Sequence, residues 1–282
     1  MPKLEELEQK IRKLIREHFP WDSNLHSPFS TVEESIPSRP RRVEEQKEYV
    51  KEWLNRYTST FRITATVLIA RLRPILEEIQ MGFLDYEKSR YFFRIDDKHI
   101  TKSPEGILEK MARKWKNPEV QPKINFNNLH ELTDLGRFRI VVNFLSDLDL
   151  LRSKFEEPYS SSPNSNLKLS QQALGKEFYL LHNCFEDLIK IPPADRKKGE
   201  RCYKGIFQPR NNTSISIEVQ LTTTLQEAWD KKDHFLIYEQ RRRGRKVKEA
   251  HEREIFAMSE LLYLADLTFN RLKEEIDKES GN

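Results

Sequence analysis

The stretch that most constrains this chain is Leu129–Leu145, LHELTDLGRFRIVVNFL. A polar turn, Thr133-Asp134-Leu135-Gly136, runs into alternating charge and bulk and ends in strong β-formers. Period-two alternation predicts a strand with one buried face. Phe138, Ile140, Val142 and Phe144 are expected in the core, and Arg137, Arg139, Val141 and Asn143 on the opposite side. A second stretch, SISIEVQL at 214–221, alternates as strictly. Ile215, Ile217, Val219 and Leu221 take one face, and Ser214, Ser216, Glu218 and Gln220 the other. Two such strands imply a sheet packed by helices on one side and polar on the other. Asp134, at the mouth of a strand whose polar face carries arginines, suits a metal-nucleotide better than a plain solvent face.

The rest of the chain reads mainly as helix around that sheet. Apolar residues recur at helical spacing over 3–18, over 43–81 and over 247–278. The segment 19–41, with four prolines among serines, reads as a linker, and Pro74 predicts an interruption of the long helix near Arg73. Residues 89–100 read as a strand. Pro104 opens a helix carrying Lys110, Arg113 and Lys114, with Lys102 just ahead of it. Cations so placed can hold a polyphosphate, or can simply solvate an amphipathic helix; the residues alone leave both open. Ser146 reads as a helix cap, 158–170 as a serine-rich loop, and 176–190 as either two short strands or a helix. Tyr203–Phe207 reads as a strand, 224–240 as a helix and 241–246 as a basic turn. The expected organisation is an N-terminal helical region over 1–88, a mixed α+β unit over 89–240 and a C-terminal helix over 241–282.

Composition narrows the class. The chain has 282 residues, 37% hydrophobic and 33% charged, enough for a sizeable core with charge left for exposed helices. A net charge of +4 against 49 basic and 45 acidic residues argues against a dedicated nucleic-acid coat and leaves room for a local basic cleft. Two cysteines make a disulfide framework unexpected and fit a reducing cytoplasm. No apolar run is long enough to span a bilayer, so a cytoplasmic protein is expected.

Three pieces, in order, resemble the synthetase domain of the RelA/SpoT family, the enzymes that make the alarmone (p)ppGpp. KSPEGILEKMARK (102–114) is similar to the family's R-x-K-x-x-x-S-x-x-x-K segment. TDLGRFRIVVNFLSDLDLL (133–151) resembles its D-L-x-x-x-R-I strand and the following helix. SIEVQLTTTLQEAWDKKDH (216–234) resembles its E-x-Q-x-R-T strand and a helix ending in histidine. The resemblance implies a nucleotidyltransferase-like fold, a mixed β-sheet flanked by helices, with N- and C-terminal helical extensions. It implies a pyrophosphokinase moving pyrophosphate from ATP to the 3′-hydroxyl of GDP or GTP with magnesium as cofactor. Carried over by position, Asp134 and Glu218 would be the catalytic, magnesium-binding carboxylates. Lys102, Lys110, Arg139, Gln220 and His234 would be nucleotide-binding, and Tyr203 would stack on the acceptor base. The family's His-Asp hydrolase domain has no counterpart, so a small, synthetase-only member is implied.

The departures are specific. The first motif arginine falls at Ile100, its serine at Gly106, and the arginine of E-x-Q-x-R-T at Thr222. The family's G-Y-x-S-x-H reads Cys202-Tyr203-Lys204-Gly205-Ile206-Phe207, without the serine and histidine. Arg94, Lys98 and Arg113 are candidates to replace the missing arginine. Small members of the family also include toxins, so adenine nucleotides or a tRNA 3′ end stay open as acceptors. A homo-oligomer, an antitoxin partner and a catalytically weakened nucleotide-binding module stay open too.

Overall fold

A computed structural model describes residues 43–83, 87, 92–116, 124, 126, 128–160, 167–192, 199–242 and 245–280. The expected helix at 3–18 and the linker at 19–41 lie outside them.

Helix α1 (Val43–Met81) is continuous, with Pro74 inside it. The expected break does not occur. Leu68, Ile69, Leu72, Ile75 and Leu76 are buried on both sides of Pro74, and their packing offsets the lost backbone bond. Strand β1 is short (Phe93–Asp96) and is followed by α2 (Pro104–Lys116), β2 (Gly136–Val142) and α3 (Leu145–Glu156). Helix α4 (Leu169–Glu177) begins inside the expected serine loop. The ambiguous 176–190 region resolves into the end of α4 and two short strands, β3 (Phe178–Leu180) and β4 (Glu186–Asp187). Strands β5 (Tyr203–Pro209) and β6 (Ile217–Thr223) lead into α5 (Thr224–Asp233). A π-helical turn (His234–Tyr238), α6 (Glu239–Arg242) and α7 (Glu249–Ser280) follow.

The six-stranded sheet has the order β1-β2-β6-β5-β3, with β4 also pairing β5. Strands β2 and β6 are parallel, and the other pairings are antiparallel. The fold is therefore α+β with a mixed sheet among helices. Phe138, Ile140, Val142, Ile217, Val219 and Leu221 join one buried core with residues of α1 and α3, as the alternation predicts. Phe144 departs from that pattern. It lies beyond the strand as the residue preceding α3, beneath the Lys273 ammonium rather than in the core. Ser146 does not cap α3 either. It lies in the first turn, and its backbone N–H donates to Asn270 Oδ1 of α7 at 2.8 Å.

Candidate active site

The register of the sheet decides which side chains share a surface. In the parallel pair, Arg137 lies opposite Glu218 and Arg139 opposite Gln220. In the antiparallel pair, Glu218 lies opposite Ile206 and Gln220 opposite Lys204. These positions form two rows on the polar face of the sheet. A cavity of about 1040 Å³ opens above them, walled by the segment before α2, by α2, by the turn ahead of β2 and by the π-helical turn.

Asp134 closes the turn ahead of β2. Lys102 Nζ donates to its Oδ2 at 2.7 Å, and Lys110 Nζ of α2 lies 2.5 Å from Oδ1. Burial opposes its ionisation, but the Lys110 and Lys102 ammonium groups outweigh that and hold the carboxyl well below the usual carboxylate range. Burial lowers the Lys102 pKa, against the pull of Asp134. Position matters in the strand itself: a Cβ on Gly136 would lie 2.5 Å from Ile217 Cδ1 and 3.1 Å from Phe61 Cδ1. Glycine thus lets β2 lie close to β6 and α1 just beside Asp134.

Glu218 faces the same cavity. Gln220 Nε2 donates to Glu218 Oε1 at 2.7 Å. The Gln220 carbonyl accepts from Arg139 Nε at 3.1 Å and Nη2 at 3.0 Å, and Arg139 Nη2 also donates to Asp230 of α5 at 2.8 Å. Arg139 does not line the cavity. Its guanidinium is instead part of a chain from Asp230 through Arg139 and Gln220 to Glu218, which fixes the amide and aims its donor at the carboxylate. His234 does line the cavity, its ring 4.8 Å from that of Tyr238.

Tyr203 does not line the cavity. It points to the opposite face of the sheet, 1% exposed, with its hydroxyl donating to Asp149 and the Arg152 guanidinium 4.5 Å from its ring centre. Alternation along β5 explains this: Tyr203, Gly205 and Phe207 pair with Leu221, Val219 and Ile217 on the core side. The missing serine and histidine of the family motif therefore fall on core positions here. A Cβ on Gly205 would come within 2.6 Å of the Phe185 ring, and Phe207 packs against that ring at 5.9 Å. Thr222, at the missing arginine, is buried and 3.4 Å from the Arg201 carbonyl. Of the three candidates to replace a missing arginine, Arg94 is turned to Glu227 at 2.5 Å and lies outside the cavity lining. Lys98 is exposed and outside the cavity lining, and the side chain of Arg113 lies outside the described residues.

Sequence reasoning missed Lys204, Glu200 and His182 and gave Arg137 no role, and all four line the cavity. Lys204 Nζ donates to Glu200 at 2.7 Å. Burial alone would lower its pKa, but Cys202 and the Glu200 and Glu218 carboxylates raise it. The signal for Lys204 was available: with Tyr203 on the core side, its neighbour must face the other way. His182 and Asn183 carry positive φ, of 63° and 58°, in the turn that separates β3 from β4. Asn183, a residue type that tolerates the left-handed region, is a local sign of that turn.

Among the described residues, no cluster of three or more His, Cys, Asp or Glu side chains forms a ready-made metal site. The donors nevertheless suit magnesium, which uses one or two carboxylates and completes its shell with water and substrate phosphate. Asp134 Oδ1 is buried without a well-directed hydrogen bond despite its ion pair with Lys110.

No family model matches the chain, and no curated protein matches it by sequence. Small alarmone synthetase 1 from Bacillus subtilis, bound to its product pppGpp, aligns over 81% of this chain and 99% of its own, with a TM-score of 0.55 and 18% identity. A GTP pyrophosphokinase family protein from Streptococcus pneumoniae aligns over 81% and 95%, with a TM-score of 0.51 and 17% identity. Small alarmone synthetase 2 from Bacillus subtilis aligns over 79% and 99%, with a TM-score of 0.51 and 16% identity. This chain has the fold of the small alarmone synthetases. Nearly the whole length of each of these synthetase-fold proteins is matched, so the sheet and its surrounding helices belong to the shared fold. No helix among the described residues is long and apolar enough to cross a membrane.

Proposed function

We propose that the chain is a nucleotide pyrophosphokinase that transfers pyrophosphate from ATP to the 3′-hydroxyl of GDP or GTP, making (p)ppGpp, with residues 89–240 as the synthetase unit. One observation carries this reading: on a sheet with the small alarmone synthetase fold, Asp134, held by Lys102 and Lys110, and Glu218 face one polar cavity. In the reaction the acceptor 3′-oxygen attacks the β-phosphorus of ATP. The bond from that phosphorus to the α,β-bridging oxygen breaks, and AMP leaves. Glu218 takes the proton of the 3′-hydroxyl, oriented by Gln220. Lys102 and Lys110 present donors to phosphate oxygens, and His234 bounds the nucleotide's place in the cavity. Asp134 and Glu218 would hold magnesium, which would screen the phosphate charge during transfer. Tyr203 is not given a part, because its ring is on the other side of the sheet.

That displacement favours a second reading. With Tyr203 outside the cavity, an acceptor bound otherwise than by that ring is favoured, such as an adenine nucleotide or a tRNA 3′ end. The test is transfer of label from γ-labelled ATP to GDP, GTP, ATP and bulk tRNA, with magnesium and with chelator. Labelled (p)ppGpp, lost with chelator, supports the first reading. Label on ATP or tRNA alone supports the second. Nucleotide binding without transfer to any of them supports a regulatory module.

A further inference from the structure

Four lysine and arginine side chains among the described residues line the cavity, and three are committed to carboxylates of this chain. Lys102 and Lys110 are held by Asp134, and Lys204 by Glu200. Arg137 is the exception among the described residues. Its backbone N–H is bonded to the Ile100 carbonyl at 2.7 Å, while its guanidinium has neither hydrogen bond nor ion pair with the described residues. A guanidinium carries five donors in a rigid fork that matches two oxygens of one phosphate. Its charge is felt by Lys102, whose ammonium it disfavours, so it stands near the Asp134 cluster. Its register partner on the neighbouring strand is Glu218. Arg137 thus lines the same cavity as the two carboxylates proposed for the reaction.

We infer that Arg137 is a phosphate-binding residue of this cavity, the anchor that takes the polyphosphate of the incoming nucleotide. Turning Lys102, Lys110 or Lys204 to a phosphate weakens an existing ion pair, and that loss offsets part of the gain. Arg137 gives up no partner among the described residues, so its bidentate contact is not offset by a lost ion pair there. The identification of the polyphosphate as that of a nucleotide rests on the pyrophosphokinase reading; the phosphate site itself rests on the free guanidinium.

The test is calorimetric binding of inorganic pyrophosphate and of the non-transferable ATP analogue AMPCPP, both with magnesium, to the full chain and to Arg137→Ala and Arg137→Lys. Charge-assisted hydrogen bonds of this kind predict about 10- to 100-fold weaker binding of both ligands by Arg137→Ala. Arg137→Lys should recover part of the loss, because it keeps the charge without the fork. Adenosine, which has no phosphate, should bind all three proteins equally. Thermal melts of the variants should match the parent, since the side chain is only partly buried and holds no partner. Pyrophosphate and AMPCPP binding by Arg137→Ala within twofold of the parent would overturn the inference, as would an equal loss for adenosine. These readouts need no turnover. A chain that transfers no label yet loses pyrophosphate binding in Arg137→Ala would sink the pyrophosphokinase reading and leave the phosphate site standing.

Discussion

Gln220 Nε2 donates to Glu218 Oε1 at 2.7 Å across one residue of the same strand, and the Gln220 oxygen is held by the Arg139 guanidinium. The amide is thereby fixed in one orientation, and Glu218 is presented to the cavity by a residue that itself rests on α5 through Asp230. Removing the bridge separates positioning from chemistry. Gln220→Leu is expected to lower kcat by about 10-fold with a small change in KM, and to cost about 1 kcal/mol of stability. Steady-state label transfer and urea melts check both.

Asp134→Asn removes a carboxylate placed between two ammonium groups. Turnover is expected to fall by more than about 100-fold. Stability is expected to fall by about 3 kcal/mol near neutral pH, because Lys102 and Lys110 are left partly buried without a counter-charge. The folded carboxyl is held below its unfolded value, so its contribution is present above about pH 4 and is lost as pH falls toward the folded pKa. Denaturant melts from pH 3 to pH 7 should therefore show a smaller difference between parent and variant at the acid end.

Asp266 of α7 behaves in the opposite sense. It is 1% exposed and accepts from Thr223 Oγ1 at 2.6 Å and Gln226 Nε2 at 3.4 Å, and burial pushes its pKa up to about 6. A carboxyl that binds its proton more tightly when folded favours folding most below its unfolded pKa of about 4, and that contribution is lost as pH rises through about 6. Asp266→Asn is expected to flatten this limb and to stabilise the chain by about 2 kcal/mol at pH 7.5. Melting curves at pH 4.5 and pH 7.5 compare the two proteins; a variant less stable at the higher pH contradicts the assignment.

Gly205→Ser puts back the serine of the family motif, and the packing here opposes it. The new Cβ would meet the buried Phe185 ring at 2.6 Å. A loss of about 2 kcal/mol is expected, with no gain in turnover. Adding Phe185→Leu should relieve part of that strain, which a thermal melt of the double variant reads out.

Much of the architecture was legible in the chain itself. Alternation over 136–142 and 217–221 depends only on neighbouring residues, so it identified the two central strands and their core faces before any partner was known. Local spacing likewise identified α1, α2 and α7, and it brought Lys102, Lys110 and Asp134 to attention. Pairing was beyond its reach. The parallel register of β2 with β6 joins residues about 80 positions apart, and only that register sets Arg137 beside Glu218 and Arg139 beside Gln220. The face taken by Tyr203 is decided by the pairing of β5 with β6, which puts it in the core and Lys204 in the cavity. Pro74 stays helical because distant side chains pack around it, and α3 is capped by Asn270 from the far end of the chain. Most of the secondary structure here follows from near neighbours; the site follows from contacts that exist only once the sheet has formed.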